Sequence, residues 1–222
     1  FFSFFFFTFP LIVVNSINQL LVPDLSQTIS NGEYYNASVR IRMVLKIAFL
    51  LGMATTVICQ LIPDSLGQMF YHRDDLGLYI KLSSLSAPIF FVSNTMVGIL
   101  NGLNRQSIIL RNSIIVSVTE ILCLYFFTAI PSINIFSYVI TIFVTSTLNL
   151  IINLHEIKKH IELNLSLFNI IIFSLIGILI FLILNLANKY LLTDLFYFKY
   201  ILIIIFTFGV FAYLSRFGID EY

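Results

Sequence analysis

Five polar side chains stand inside runs that are otherwise apolar: Asn15, Asn18 and Gln19 in a phenylalanine-rich opening, Asn94 in FVSNTMVGILNG, and Glu120 in VSVTEILCLYFF. Amides and carboxylates held in hydrocarbon are costly. They pair with one another, face a bundle interior, or line a path for substrate or protons. Asn15, Asn18 and Gln19 follow Thr8 at near-helical spacing and form one uncharged stripe. Glu120 is the only acidic residue deep in an apolar run, so it is a candidate for binding a proton or a substrate. Ser113 and Ser117 lie on its side of a helix and are the alternative, purely structural partners.

Other groupings do not carry chemistry. His72-Arg73-Asp74 matches a kinase catalytic triplet in letters only, since no Asn follows at the required place. His155 and His160 are five apart, about 140° around a helix, so the HExxH zinc pattern is absent. Cys59 and Cys123 sit singly in apolar runs, which offers neither a disulfide framework nor a metal set, and no cofactor is expected. A membrane-embedded glycosyl- or acyltransferase would need paired carboxylates or a His-Asp site at the membrane surface. Only the 72–75 run comes near it, so the chain is not expected to be an enzyme.

The stretch that positions these residues is 81–105, KLSSLSAPIFFVSNTMVGILNGLNR. It is long enough to cross a hydrocarbon core, which takes about 20 helical residues. It carries Pro88 in mid-span and the pair Gly98 and Gly102 in GxxxG spacing. Ser83, Ala87, Asn94, Gly98, Asn101 and Arg105 fall on one helical face, which is expected to meet protein while Ile89, Val92, Met96 and Leu100 point elsewhere. The glycines suit close helix packing. A proline-broken, polar-faced span also suits the lining of a cavity.

Composition decides the class around that stretch. With 59% hydrophobic residues, 10% charged and a mean hydropathy of +0.99, the sequence excludes a soluble globule, and a net charge of +1 without a basic run gives no sign of nucleic-acid binding. The expected fold is all-α: a multi-pass transmembrane bundle of about seven helices, with the lipid bilayer as its first partner. The spans are read at about 1–22, ending at Pro23-Asp24; from the Arg40 region to Ile62; 81–105; 113–129; 133–154; 166–187; and 195–214. Residues 24–40 and 63–77 are read as connectors, and HEIKKHIEL as a polar helical extension of the fifth span. Ser137, Thr141, Thr145, Asn149 and Asn153 make an i+4 ridge of the kind that packs helices. The last two spans are the most uniformly apolar and are expected at the periphery, which divides the chain into 1–165 and 166–222. FFSFFFFTFP has no charged leader, and the chain is expected to be a piece of a longer protein that opens inside a span.

Lys and Arg set the orientation. If the first span runs inward, the cytoplasmic side holds Arg40, Arg42, Lys46, Arg105, Arg111, Lys158, Lys159 and Arg216, against Arg73, Lys81, Lys189 and Lys199 outside. The positive-inside rule then expects a cytoplasmic C-terminus.

These residues also carry a resemblance. PLIVVNSINQLLVPDLSQTIS, with Pro10 and then Leu21, Val22, Pro23, Leu25 and Ser26, resembles the eighth helix of the polysaccharide and lipid-linked-oligosaccharide exporters, in the stage V sporulation protein B-like branch of the MOP flippase superfamily. Lys46 between Leu45 and Ile47 is similar to that family's next helix, and FVSNTMVGILNGLNR to its GILQGLGK segment, at Gly98, Ile99, Leu100 and Gly102. Asn112 and the run 125–131 resemble the helix and proline turn that follow. The similarity covers roughly 10–159 and fades beyond. It departs where Glu120 replaces a frequent Lys, where Leu124 replaces Asn, and at 133–136, where a glycine-rich start is missing. The resemblance implies the second lobe, plus two extra helices, of a fourteen-helix plasma-membrane flippase working by alternating access. Its implied substrate is a lipid-linked saccharide for bacterial cell-envelope or peptidoglycan export, its other partner the N-terminal lobe that precedes Phe1. Asn15, Asn18, Gln19, Asn94 and Glu120 are the candidate cavity residues, with Pro88, Gly98 and Gly102 as packing residues. A cation-coupled multidrug or small-molecule antiporter of the same superfamily is the alternative.

Overall fold

The structure is a computed structural model that describes residues 2–73, 75–131, 133, 136–163, 167–190 and 198–216. The side chain of Thr8, Asp74, the 165/166 boundary, the start of the last span at Leu195 and the side chain of Lys199 lie outside the described residues. Among the described residues every regular element is a helix and none a strand: α1 Phe2–Ser30, α2 Tyr34–Leu61, α3 Pro63–Tyr71, α4 Gly77–Ser84, α5 Ala87–Gly102, α6 Gln106–Thr128, α7 Ser137–Lys158, α8 Leu167–Tyr190 and α9 Phe198–Arg216. Among them α2, α6, α7 and α8 are long and apolar enough to cross a membrane, and α4 with α5 makes a fifth if the bent pair is one span.

α5 is the axis of the bundle. It packs against α1, α2 and α7, and no residue from Ala87 to Gly102 is exposed. The sequence assigned one face of this stretch to protein. Instead Phe91, Met96, Ile99 and Leu100 are as buried as Gly98, because helices close around the stretch from every side. Leu21, Leu25, Ile41, Leu45, Met96, Ile99, Leu100 and Ile157 form the core at one end. Leu50, Val57 and Ile58 of α2, with Ile62 just after it, pack with Leu66, Ile80, Ile180, Leu184 and Ile203 at the other.

Several boundaries differ from the sequence reading, each for a local reason. α1 does not stop at Pro23 but runs to Ser30 with both Pro10 and Pro23 inside it. Proline removes one ladder bond; Leu21 and Leu25, buried on either side, hold the helix through it. The connector shrinks to Asn31, Gly32 and Glu33. Gly32, at φ +79°, ends α1 with bonds from its own N–H to Ile29 O (3.0 Å) and from Glu33 N–H to Thr28 O (3.1 Å). α5 ends in the same motif with a side chain in the left-handed position. There Asn104 has φ 56°, its N–H bonds Asn101 O, and Arg105 N–H bonds Leu100 O, both at 3.0 Å. Residues 63–71, read as loop, form α3, with Pro63 in its first turn, where the missing N–H costs nothing. HEIKKHIEL begins as the last turn of α7.

α8 and α9 lie on the outside of α2. Gly177 sits against Met53, Lys46 Nζ lies 5.1 Å from the centre of the Phe173 ring, and Ile203 and Phe211 of α9 are buried in the same cluster. The Lys46 amine thus rests on an aromatic face of a neighbouring helix.

Three glycines mark the closest approaches. A Cβ on Gly98 would lie 2.7–2.9 Å from the side chain of Asn18, one on Gly102 2.9 Å from Leu25, and one on Gly52 2.8 Å from the nitrogen of Pro88. The order of these contacts runs α1 and α5 in the same direction. Gly209 has open space in its place. Gly98→Leu and Gly52→Val should therefore each destabilise the detergent-solubilised protein by about 1–3 kcal/mol, the usual cost of overpacking, while Gly209→Ala should be neutral or stabilising. Unchanged melting for Gly98→Leu would place that glycine against lipid or open space.

Candidate functional site

The bend between α4 and α5, 53° across Leu85 and Ser86, is where the buried polar groups gather. Its cause is two residues further on. Pro88 has no N–H, so the carbonyl of Ser84, four residues back, has no ladder donor. Thr56 of α2 supplies one: its hydroxyl lies 2.8 Å from Ser84 O and 3.0 Å from Gly52 O in its own helix. Gln60, a turn further, donates Nε2 to Lys81 O at 2.8 Å and to Ser84 Oγ at 3.2 Å. Ser83, Ser84 and Ser86 are buried, and their hydroxyls donate to Tyr79 O, Lys81 O and Ser83 O. Gly52, Thr56 and Gln60 are spaced i, i+4, i+8. One ridge of α2 therefore provides both the close approach and the donors. The sequence reading placed the break at Pro88 but passed over this ridge, legible in GMATTVICQ as small and polar residues at helical period.

A second polar set joins α6 to α7 at the opposite end of the bent span. Asn112 Nδ2 donates to Asn153 Oδ1 at 2.8 Å, and Asn153 Nδ2 to Asn149 Oδ1 at 2.7 Å, with Asn112 and Asn153 both buried. Arg111 reaches Asn112 Oδ1 at 3.1 Å and Glu156 Oε1 at 2.6 Å, and Lys159 Nζ lies 3.3 Å from both Glu156 oxygens. Glu156 is almost covered while its cationic partners are half in water. Arg105 approaches His160 Nδ1 at 3.5 Å beside it. On the i+4 ridge of α7 Ser137, Thr141, Thr145 and Asn153 are buried and Asn149 is half-buried, and the Thr141 hydroxyl has no hydrogen-bond partner among the described residues. At the other end the exposed Arg73–Asp75 pair, 2.8 Å at Arg73 Nε, holds the Asp75 carboxyl below the usual carboxylate range through that hydrogen bond.

The candidate residues fall in three separate places. Asn18 lies over Gly98 with its Oδ1 buried and without a hydrogen-bond donor. Asn94 is one turn before Gly98 on α5, half-buried, its Nδ2 bonded to Phe90 O at 2.8 Å. Asn15 and Gln19 are exposed, on the side of α1 away from the bundle. Glu120 is half-buried on α6, close enough to Tyr138 of α7 to act on it electrostatically. No described residue gives it a hydrogen bond or ion pair, and Ser113 and Ser117, its expected partners, are exposed. Asn18 and Asn94 are thus brought to one helix junction; Glu120 is not.

No protein-family model, no curated protein and no solved structure matches this chain. What the described residues show is an all-helical protein whose apolar helices are compatible with a membrane.

Thr56→Val keeps the shape and removes the donor, so it should cost about 1–3 kcal/mol, the range for stranding a buried acceptor. Pro88→Ala restores an N–H at the position that serves Ser84 O. Thermal unfolding of the double variant should show most of that cost gone, and an equal cost in both backgrounds would mean that Thr56 does not stand in for the missing donor.

Proposed function

We propose that this chain is the C-terminal lobe and extra helix pair of a lipid-linked oligosaccharide or polysaccharide exporter in the plasma membrane, with seven spans: α1, α2, the bent pair, α6, α7, α8 and α9. The observation that carries this reading is the broken central span. A discontinuous helix, enclosed by its neighbours and braced by side-chain donors, is the element from which alternating-access transporters build midplane sites. Two further features support it. Asn18 Oδ1 is a buried acceptor with no donor, suited to a hydroxyl of a saccharide. Asn15 and Gln19 extend that polar stripe onto an open face of α1, where an N-terminal lobe would close a cavity. Rocking of the two lobes would then open the stripe to one side and the other in turn.

A cation-coupled antiporter is the second reading, and Glu120 is what favours it. A carboxylate on an intramembrane helix, with no cationic partner among the described residues, suits a proton or an organic cation. Transport by the complete protein, as wild type and as Glu120→Gln, separates the two. Loss of pH dependence in a folded Gln variant supports coupling through Glu120, and an unchanged rate and pH response removes the residue from the mechanism.

In this reading the α6–α7 charge cluster is cytoplasmic and the α3 side extracytoplasmic. With Cys59 and Cys123 replaced by Ala, Gln68→Cys should react with an impermeant maleimide in whole cells and Gln106→Cys only after the membrane is opened. The reverse pattern inverts the orientation, and equal labelling refutes it.

A further inference from the structure

The α3–α4 hairpin exposes apolar side chains on the outside of the bundle. On α3 the buried positions are Pro63, Leu66 and Gly67, the polar ones Asp64 and Gln68. At 100° per residue the apolar arc is wider than the part covered by protein. Met69, at its flank, is 66% exposed and Phe70 is 47% exposed. α4 continues the surface with Leu78 and Leu82, and Leu85 just after its end extends the row at i, i+4, i+7, with Lys81 exposed beside them.

The hairpin cannot rotate to hide these residues. Gly67 packs against Arg73 O and Leu76, the side chain of Asp64 sits over Gly77, and His72 takes the left-handed conformation, φ 53°, that ends α3. At nine residues α3 is too short to cross a bilayer. It joins the end of α2 to the start of the bent span, the depth at which a membrane has its headgroups. Apolar side chains on one arc, Asp64 and Gln68 on the other and a lysine within reach of phosphate match the interfacial layer of lipid.

We infer that α3 is an interfacial helix, with Met69 and the leucine stripe of α4 inserted among lipid chains and Lys81 at the lipid phosphates. It rests on the membrane reading above. As a lever fixed to α4, it would couple the break in the central span to the lipid surface.

The sequence contains no tryptophan, so a single introduced one reports alone. Met69→Trp in the full chain, reconstituted in phosphatidylcholine vesicles, should emit at short wavelength, lose intensity when the lipid is brominated near the headgroup end of its chains, and resist aqueous iodide. Phe70→Trp provides a second reporter on the same helix should the first disturb folding. Ile121→Trp, on the outer face of α6, is the control for the membrane itself. If Ile121→Trp answers to brominated lipid while the α3 reporters answer to iodide, the interfacial placement fails and the membrane reading stands. If iodide quenches all of them, both fail. α3 reporters blind to both quenchers would show protein, not lipid, covering the hairpin, which also overturns the proposal.

Discussion

The carbonyl of Ser84 would be stranded by Pro88 in the middle of an apolar bundle, and the hydroxyl of Thr56 meets it at 2.8 Å. An unsatisfied carbonyl in such surroundings costs several kcal/mol, so the bent span can exist only with α2 against it. That contact needs the backbones to approach within side-chain range, which Gly52 permits against Pro88. Once α2 and α5 are locked, Gly98 and Gly102 receive α1 through Asn18 and Leu25, and the hydroxyl ridge of α7 closes the remaining side. The central position of α5 follows from the donor that its proline lacks.

Most of the buried polar groups answer a backbone need or another side chain. Thr145 donates to Thr141 O, Thr207 to Ile203 O and Thr28 to Asp24 O, each inside its own helix. Asn112, Asn149 and Asn153 form a chain of amides, and Glu156 accepts from Arg111 and Lys159. A network of this kind rigidifies its helices when complete and penalises the fold heavily when one member is lost. Among the described residues Asn18 Oδ1, at the junction of α1 with the central helix, Thr141 Oγ1 on α7 and Asn188 Oδ1 on α8 are buried without a hydrogen-bond partner.

Two mechanical regions result. The break and its brace form one end of the central span, and the α6–α7 charge cluster sits beyond the other. α8 and α9 touch the first through α2, by way of Met53, Lys46 and the cluster around Leu50 and Phe211. α2 therefore ties the bent span to the outer helix pair.

The sequence by itself determined the class and the position of the break. Apolar runs admit little but helices, since a helix satisfies its own backbone in lipid, and a proline in such a run must interrupt the ladder. The hydroxyl and amide ridge of α7 was equally legible, because helical period is written in residue spacing. Helix ends were not: Pro23 reads as a stop, yet Leu21 and Leu25, packed on the central helix, carry α1 through it to Ser30. The tertiary structure alone decided which buried polar groups meet. Thr56 and Ser84, Asn112 and Asn153, and Asn18 and Gly98 are 28, 41 and 80 residues apart, and no local periodicity encodes a partner across such distances. It also left Glu120 half-covered on the outer helix α6, away from the central junction, because a helix pattern gives the face of a residue but not what lies opposite it.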